Sequence, residues 1–370
     1  MPANCNSGGL PQYGGPRSYD PQYYDPQTYT WQESCREYCQ PACPPQWCCA
    51  AGPTGPTGAA ESPCGRPAYA YVGNRGGGTL SVIDPIAHEI IGAVPVGTSP
   101  LGLAADPGLR KLYVTDACGP CLWVVNADTG AAAGVHVGAG AGFPAVNTNN
   151  RLVYVPLAGG SVAAVNGFTN QLLSVVPVGG TPMAAAVNPR TNLVYIANGT
   201  GTAPVINSNT NTIFARIQLP GGLTASDVAA DPCGNNIFVL GAEGSVAVVD
   251  GTSNAVREVF RPGQGAAAMA LDPGLGLLYL ASGNQALVYS LCTYTQAGVL
   301  ALELPPGAQA LRLAVNGLTH LVYVTGSDGM VHIADGGANV PVNSFPGGAQ
   351  PYDVAVFDCE APCPACGCSQ

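Results

Sequence analysis

The chain has 370 residues, with 12 Lys and Arg against 22 Asp and Glu, a net charge of −10 and a pI near 4.6. Charged residues make up 9% of it, against roughly 25% in an ordinary soluble protein, and Lys111 is the only lysine. So little positive charge excludes a nucleic-acid partner, because a phosphate backbone could not be neutralised. No apolar run reaches the ~18 residues that a membrane span needs.

Residues 1–67 differ from the rest. Met1-Pro2-Ala3-Asn4-Cys5 has neither a basic stretch nor an apolar one, so no secretory signal peptide is expected. Tyr19-Asp20-Pro21-Gln22-Tyr23 is followed at once by Tyr24-Asp25-Pro26-Gln27, a local repeat too poor in branched apolar residues to build a core. Tyr13, Tyr19, Tyr23, Tyr24, Tyr29 and Trp31 are spaced among prolines. They are candidate contacts to a neighbouring subunit, because aromatic rings bury area at low entropic cost; a plain tether is the alternative. Cys5, Cys35, Cys39, Cys43, Cys48, Cys49 and Cys64 fall in this arm, and Gly52-Pro53-Thr54-Gly55-Pro56-Thr57-Gly58 carries glycine at the collagen period. Two triplets are too few for a triple helix, so the tract is expected to act as a stiff spacer.

From residue 68 to 358 the chain repeats. Tyr71-Val72 returns as Tyr113-Val114, Tyr154-Val155, Tyr195-Ile196, Phe238-Val239, Tyr279-Leu280 and Tyr323-Val324, at intervals of about 41 to 44 residues. One full unit contains four β-type runs, at Pro100–Asp106, Leu112–Thr115, Leu122–Asn126 and Ala133–Gly138, separated by turn residues such as Asp106-Pro107-Gly108 and Asp128-Thr129-Gly130. A period near 40 with four short strands per unit predicts an all-β fold, a seven-bladed β-propeller. The region opens on a second-type run (Tyr69 to Val72) and closes on an orphan first-type run, Pro351 to Val356. That last strand is expected to complete the first blade and join the two ends of the ring.

Asp84, Asn126, Asn166, Asn207, Asp250, Ser290 and Asp335 end the third run of each unit, where a side-chain oxygen can set the turn to the outer strand. Cys118-Gly119-Pro120-Cys121 has the spacing of a redox motif, but it joins two strands, without the helix N-terminus that lowers a reactive thiol's pKa. A local loop disulfide is expected there, with a redox centre and an intersubunit or free thiol as alternatives. His88, His136, His320 and His332 form no helical pair. Residues 359–370 form a tail holding Cys359, Cys363, Cys366 and Cys368, readable as a disulfide knot or as four zinc thiolates. Eleven of the fifteen cysteines thus lie outside the repeats, and an odd total leaves one for an intermolecular bond or a free thiol.

Ala70-Tyr71-Val72-Gly73-Asn74, Thr79-Leu80-Ser81-Val82-Ile83-Asp84 and Pro95-Val96-Gly97-Thr98-Ser99-Pro100 resemble the elements of the YVTN-type β-propeller repeat of bacterial and archaeal cell-surface proteins. Phe238-Val239-Leu240-Gly241 departs from that pattern by losing both Tyr and Asn. The flanks are similar in composition to Cys-rich, collagen-like spore-coat, exosporium and spore-appendage proteins. That resemblance implies synthesis inside a mother cell and disulfide linkage on the spore surface, which reconciles many cysteines with the absence of a signal sequence.

Together these features imply a self-assembling structural protein on a spore surface or outside the cell. The partner would be a second copy of the chain, reached through the arm and through disulfides, with other spore-surface proteins possible in the same layer. No enzymatic activity, cofactor or metal requirement is expected. The alternative is a propeller that binds a glycan or peptide and is tethered by its Cys-rich arm; with Trp123 the ring's only tryptophan, an aromatic glycan platform has little to build on.

Overall fold

In a computed structural model, residues 69–357 are described, apart from 263 and 264. They form seven antiparallel four-stranded sheets arranged as the blades of a propeller, as the repeat predicts. Within six of the blades the strands run in chain order from an inner strand to an outer one, and the first takes its inner strand from the far end of the ring. The third blade, for example, runs Ala145–Asn147, Leu152–Leu157, Ser161–Asn166 and Gln171–Pro177.

The second strand of each blade is the most apolar because neighbouring blades cover both of its faces. Tyr71, Tyr113, Tyr154, Tyr195, Phe238, Tyr279 and Tyr323 are all among the largest fully buried side chains. A phenol is large enough to fill the wedge between two twisted sheets while its hydroxyl reaches the next blade. Tyr154 donates to Ser208 Oγ (2.8 Å) and Asn211 Oδ1 (2.7 Å), and Tyr195 donates to Asn254 Oδ1 (2.9 Å). Burial pushes both phenols up to about 12.

The ring closes as expected. Pro351–Val356 pairs antiparallel with Ala70–Asn74, in the register Ala70 with Val356, Tyr71 with Ala355 and Val72 with Val354. The Phe357 amide donates to the Tyr69 carbonyl at 3.0 Å, and the Phe357 ring packs edge-on against Tyr71 with centroids 5.4 Å apart. The first blade is therefore built from both ends of the repeat region.

The third blade is the irregular one. Its inner strand is reduced to Ala145–Asn147; Ala141 and Gly142 still pair with Leu157 and Pro156 of the same blade, but the residue after them turns out of it. Phe143 instead bridges in parallel to Ala184 of the fourth blade, accepting from the Ala185 amide (3.0 Å) and donating to the Met183 carbonyl (2.8 Å). This detour turns the Phe143 side chain towards the ring axis.

Candidate functional site

The axis is where the structure concentrates polar chemistry. Phe143 belongs to the third blade, Tyr352 to the first and Arg312 to the seventh, so these side chains can meet only across the centre. The Phe143 and Tyr352 rings stack with centroids 6.4 Å apart, and the Arg312 guanidinium lies 3.5 Å from the Phe143 centroid. Space for this plug is made by Gly102 on the second blade's inner strand: a Cβ there would stand 2.8 Å from Phe143 Cα.

Two buried carboxylates flank the guanidinium. Asp227 Oδ2 accepts from Arg312 Nη1 at 3.1 Å and from the Met269 amide of the sixth blade at 3.2 Å. Asp353 Oδ2 accepts from the Leu103 amide of the second blade at 2.7 Å. Each carboxylate thus ties its own inner strand to that of the following blade. Burial raises both pKa values, with Arg312 and the donating amides pulling the other way. Asp353, which Asp227 also opposes, reaches about 6, and Asp227 is raised as well.

Above the plug lies a cleft of about 550 Å³, lined in part by Arg75, Ser99, Ser327, Asp328 and Tyr352. Arg75 sits over the Tyr352 ring, 4.5 Å from its centroid. Asp328 accepts from His332 Nε2 at 3.2 Å, and His332 Nδ1 is buried without a partner. Among the described residues no group of three or more His, Cys, Asp or Glu is placed to hold a metal ion.

The seven residues ending the third strands behave as turn setters. Asp84 Oδ1 accepts from the Ile86 and Ala87 amides, Asn166 Oδ1 from Phe168 and Thr169, and Asp250 Oδ1 from Thr252 and Ser253. Asn126, Asn207, Ser290 and Asp335 each accept from the amide two residues on. A second ring of such residues ends the inner strands: Asp106, which the sequence marks as a turn residue, and Asn147, Asn188, Asp231, Asp272 and Asn316, which escaped the reading of the sequence. Several of these also hold the next blade. Asp106 pairs with Arg151, and Asp272 Oδ2 accepts from His320 Nδ1 at 2.8 Å, so this histidine is an interblade tie.

The loop at Cys118 to Cys121 corrects one expectation. Both thiols are free, Cys118 exposed and Cys121 half-buried, and no local disulfide joins them. Cys121 begins a strand and turns towards the outer one: a Cβ placed on Gly134 would lie 3.6 Å from its Sγ. Asp116 precedes the loop and gathers the Thr98, Cys118 and Ser99 amides. Burial acts to raise its pKa, but those hydrogen bonds hold it below the usual carboxylate value. Cys233 and Cys292, which the sequence did not single out, are disulfide-bonded. Trp123 is half-buried, packed against the core between the first two blades. Cys5, Cys35, Cys39, Cys43, Cys48, Cys49, Cys64, Cys359, Cys363, Cys366 and Cys368, with Tyr13, Tyr19, Tyr23, Tyr24, Tyr29 and Trp31, lie outside the described residues.

Against known proteins, no family matches the sequence and no curated relative is similar enough to register. Among solved structures, the ring is similar to Kuenenia stuttgartiensis hydrazine synthase, with a TM-score of 0.59 and 16% identity over 69% of this chain and 88% of that one. At that identity the likeness concerns the propeller fold alone.

Proposed function

We propose that this protein is a structural, self-assembling building block of an extracellular or spore-surface filament, appendage or layer, with no catalytic role. The observation that carries this reading is the outer rim. Apart from Met183 and Leu275, the exposed large apolar side chains sit on outer strands or the turns leading into them, among them Ile90, Ile91, Leu172, Leu173, Phe214 and Val342. Outer strands are the open edges of the sheets, and an apolar, weakly charged edge favours association. The resemblance of the repeats to the YVTN type of cell-surface propeller supports the same reading. So does the resemblance of the flanks to Cys-rich spore-surface proteins, whose cysteines would lock neighbouring copies together.

Native material should show polymers by negative-stain imaging and by sizing under oxidising, non-denaturing conditions, and these should shorten in reductant. A lone 37 kDa species under those conditions would end the proposal. The mouth cleft favours a second reading, a tethered module that binds a glycan or peptide. Retention of the chain on a glycan or peptide array, lost in Arg75→Ala, would support that reading instead.

A further inference from the structure

Six of the seven outer strands carry a β-bulge, one residue more than the third strand opposite. The second blade's outer strand pairs without one. A bulge twists a strand edge away from simple sheet extension and re-aims the extra side chain. The extra residue is Ile91 in the first blade, Leu173 in the third, Phe214 in the fourth and Val342 in the seventh, whereas the fifth has Arg257 and the sixth Ala297. The four large apolar ones are 43–55% exposed. They therefore form two patches. One spans the third and fourth blades, where Phe168, Leu172 and Val175 join Leu173 and Phe214. The other spans the seventh and first, where Ile86, Ile90 and Val340 join Ile91 and Val342.

These patches differ in charge. Residues 129–226, which include the third and fourth blades entire, contain no Asp or Glu at all. Their charges are Arg151, Arg190 and Arg216, of which Arg151 is paired with Asp106 while Arg190 and Arg216 are exposed. The seventh-and-first patch is bordered instead by Asp84, Glu89 and Asp335. Around the ring the patches stand three blades apart one way and four the other, close to opposite sides.

We infer that the third-and-fourth-blade patch docks on the seventh-and-first-blade patch of a second copy, so that rings associate edge to edge in an open row. Complementary charge and matched apolar area select this occupant. Self-pairing of either patch would set like charges together, whereas the mixed contact sets Arg216, on the fourth blade's outer strand, against carboxylates. Two different, nearly opposite surfaces make the contact heterologous, and such a contact propagates unless it closes on itself. Bulged edges indicate that side chains, not continued sheet hydrogen bonding, make the join. This inference rests on the self-assembly reading and supplies its interface, without using any cysteine.

The test uses the full chain in reductant, so that disulfides play no part, with sedimentation velocity as the readout. The unaltered chain should form concentration-dependent species larger than a dimer. Leu173→Glu and Ile91→Lys each spoil one patch at a half-exposed position and should each stay monomeric, weakening association at least about tenfold. Mixed together they retain one intact patch apiece and should give a 1:1 dimer and nothing larger. Should either variant fail to match the parent's circular dichroism and melting, Val175→Glu and Val342→Lys replace them. A monomeric parent, a variant that associates like the parent, or a mixture that stays monomeric overturns the inference. Polymers that survive only in oxidant would remove this interface and leave the disulfide reading standing; polymers indifferent to reductant would do the reverse.

Discussion

Asp353 occupies the third position of an inner strand, where other blades carry Gly102, Ala184 and Ala268. Asp227 and Arg312 hold the same place in their own blades, so a position built for small residues carries three charges. Such a substitution into a buried site is legible in the aligned repeats. What stayed hidden is that blades one, five and seven bring these positions together across the axis, a meeting set by ring geometry and not by spacing along the chain. The consequence is measurable. A carboxyl raised from 3.8 to about 6 binds its proton more tightly when folded, so its contribution to stability is present below pH 4 and is lost as pH rises through 6. Two units at about 1.4 kcal/mol each give a loss of roughly 3 kcal/mol. Asp353→Asn removes that loss, so urea unfolding should show the variant gaining roughly 3 kcal/mol on the parent between about pH 4 and pH 7. A gap between the two that does not change with pH would show that Asp353 ionises as an ordinary carboxylate.

Strands were the most readable level. The repeating Tyr-Val runs, the Asx turns and the closing strand all follow from a period near 40, because each blade must bury one apolar strand between two neighbours. Less readable was Phe143, whose segment matches the inner-strand pattern poorly because this one residue turns out of its blade to pair with the fourth. The outer bulges were also overlooked, although adjacent apolar pairs such as Ile90-Ile91, Leu172-Leu173 and Ile213-Phe214 break strict alternation and signal them. The free thiols at Cys118 and Cys121 show the limit of a motif taken without its setting: the spacing suits a bridge, but strand direction turns Cys121 away. Among the elements the closing strand has the largest leverage. Deleting 351–357 strips Val354, Ala355 and Phe357 from the core and leaves Ala70–Asn74 with an open edge. At about 1.5 to 3 kcal/mol for each large side chain, the loss is on the order of 5 kcal/mol. Thermal melting of the truncated chain should be lower by well over ~10 °C or lose its cooperativity; a melt like that of the intact chain would contradict closure by this strand.

At the scale of the whole molecule, charge and shape work together. A net −10 would keep copies apart if it were spread evenly, but an acid-free arc across the ring from an acidic one makes a dipole in the plane of the ring. Edge-to-edge association should therefore weaken with ionic strength. Light scattering of reduced protein should fall between about 0.02 and about 0.5 M salt, as screening shortens the reach of these charges. An apolar contact alone would hold steady or strengthen over that range. Composition gives only a charge-poor chain; how the charges divide between opposite arcs became visible only once the blades had been placed around a circle.

The pairing of Ala70–Asn74 with Pro351–Val356 also dictates a timetable. On the ribosome the earliest-made blade must wait, one strand short, until about 260 further residues have been translated. The ring can snap shut only after synthesis of the last blade is over, so its first sheet stays incomplete for as long as the other six are being made.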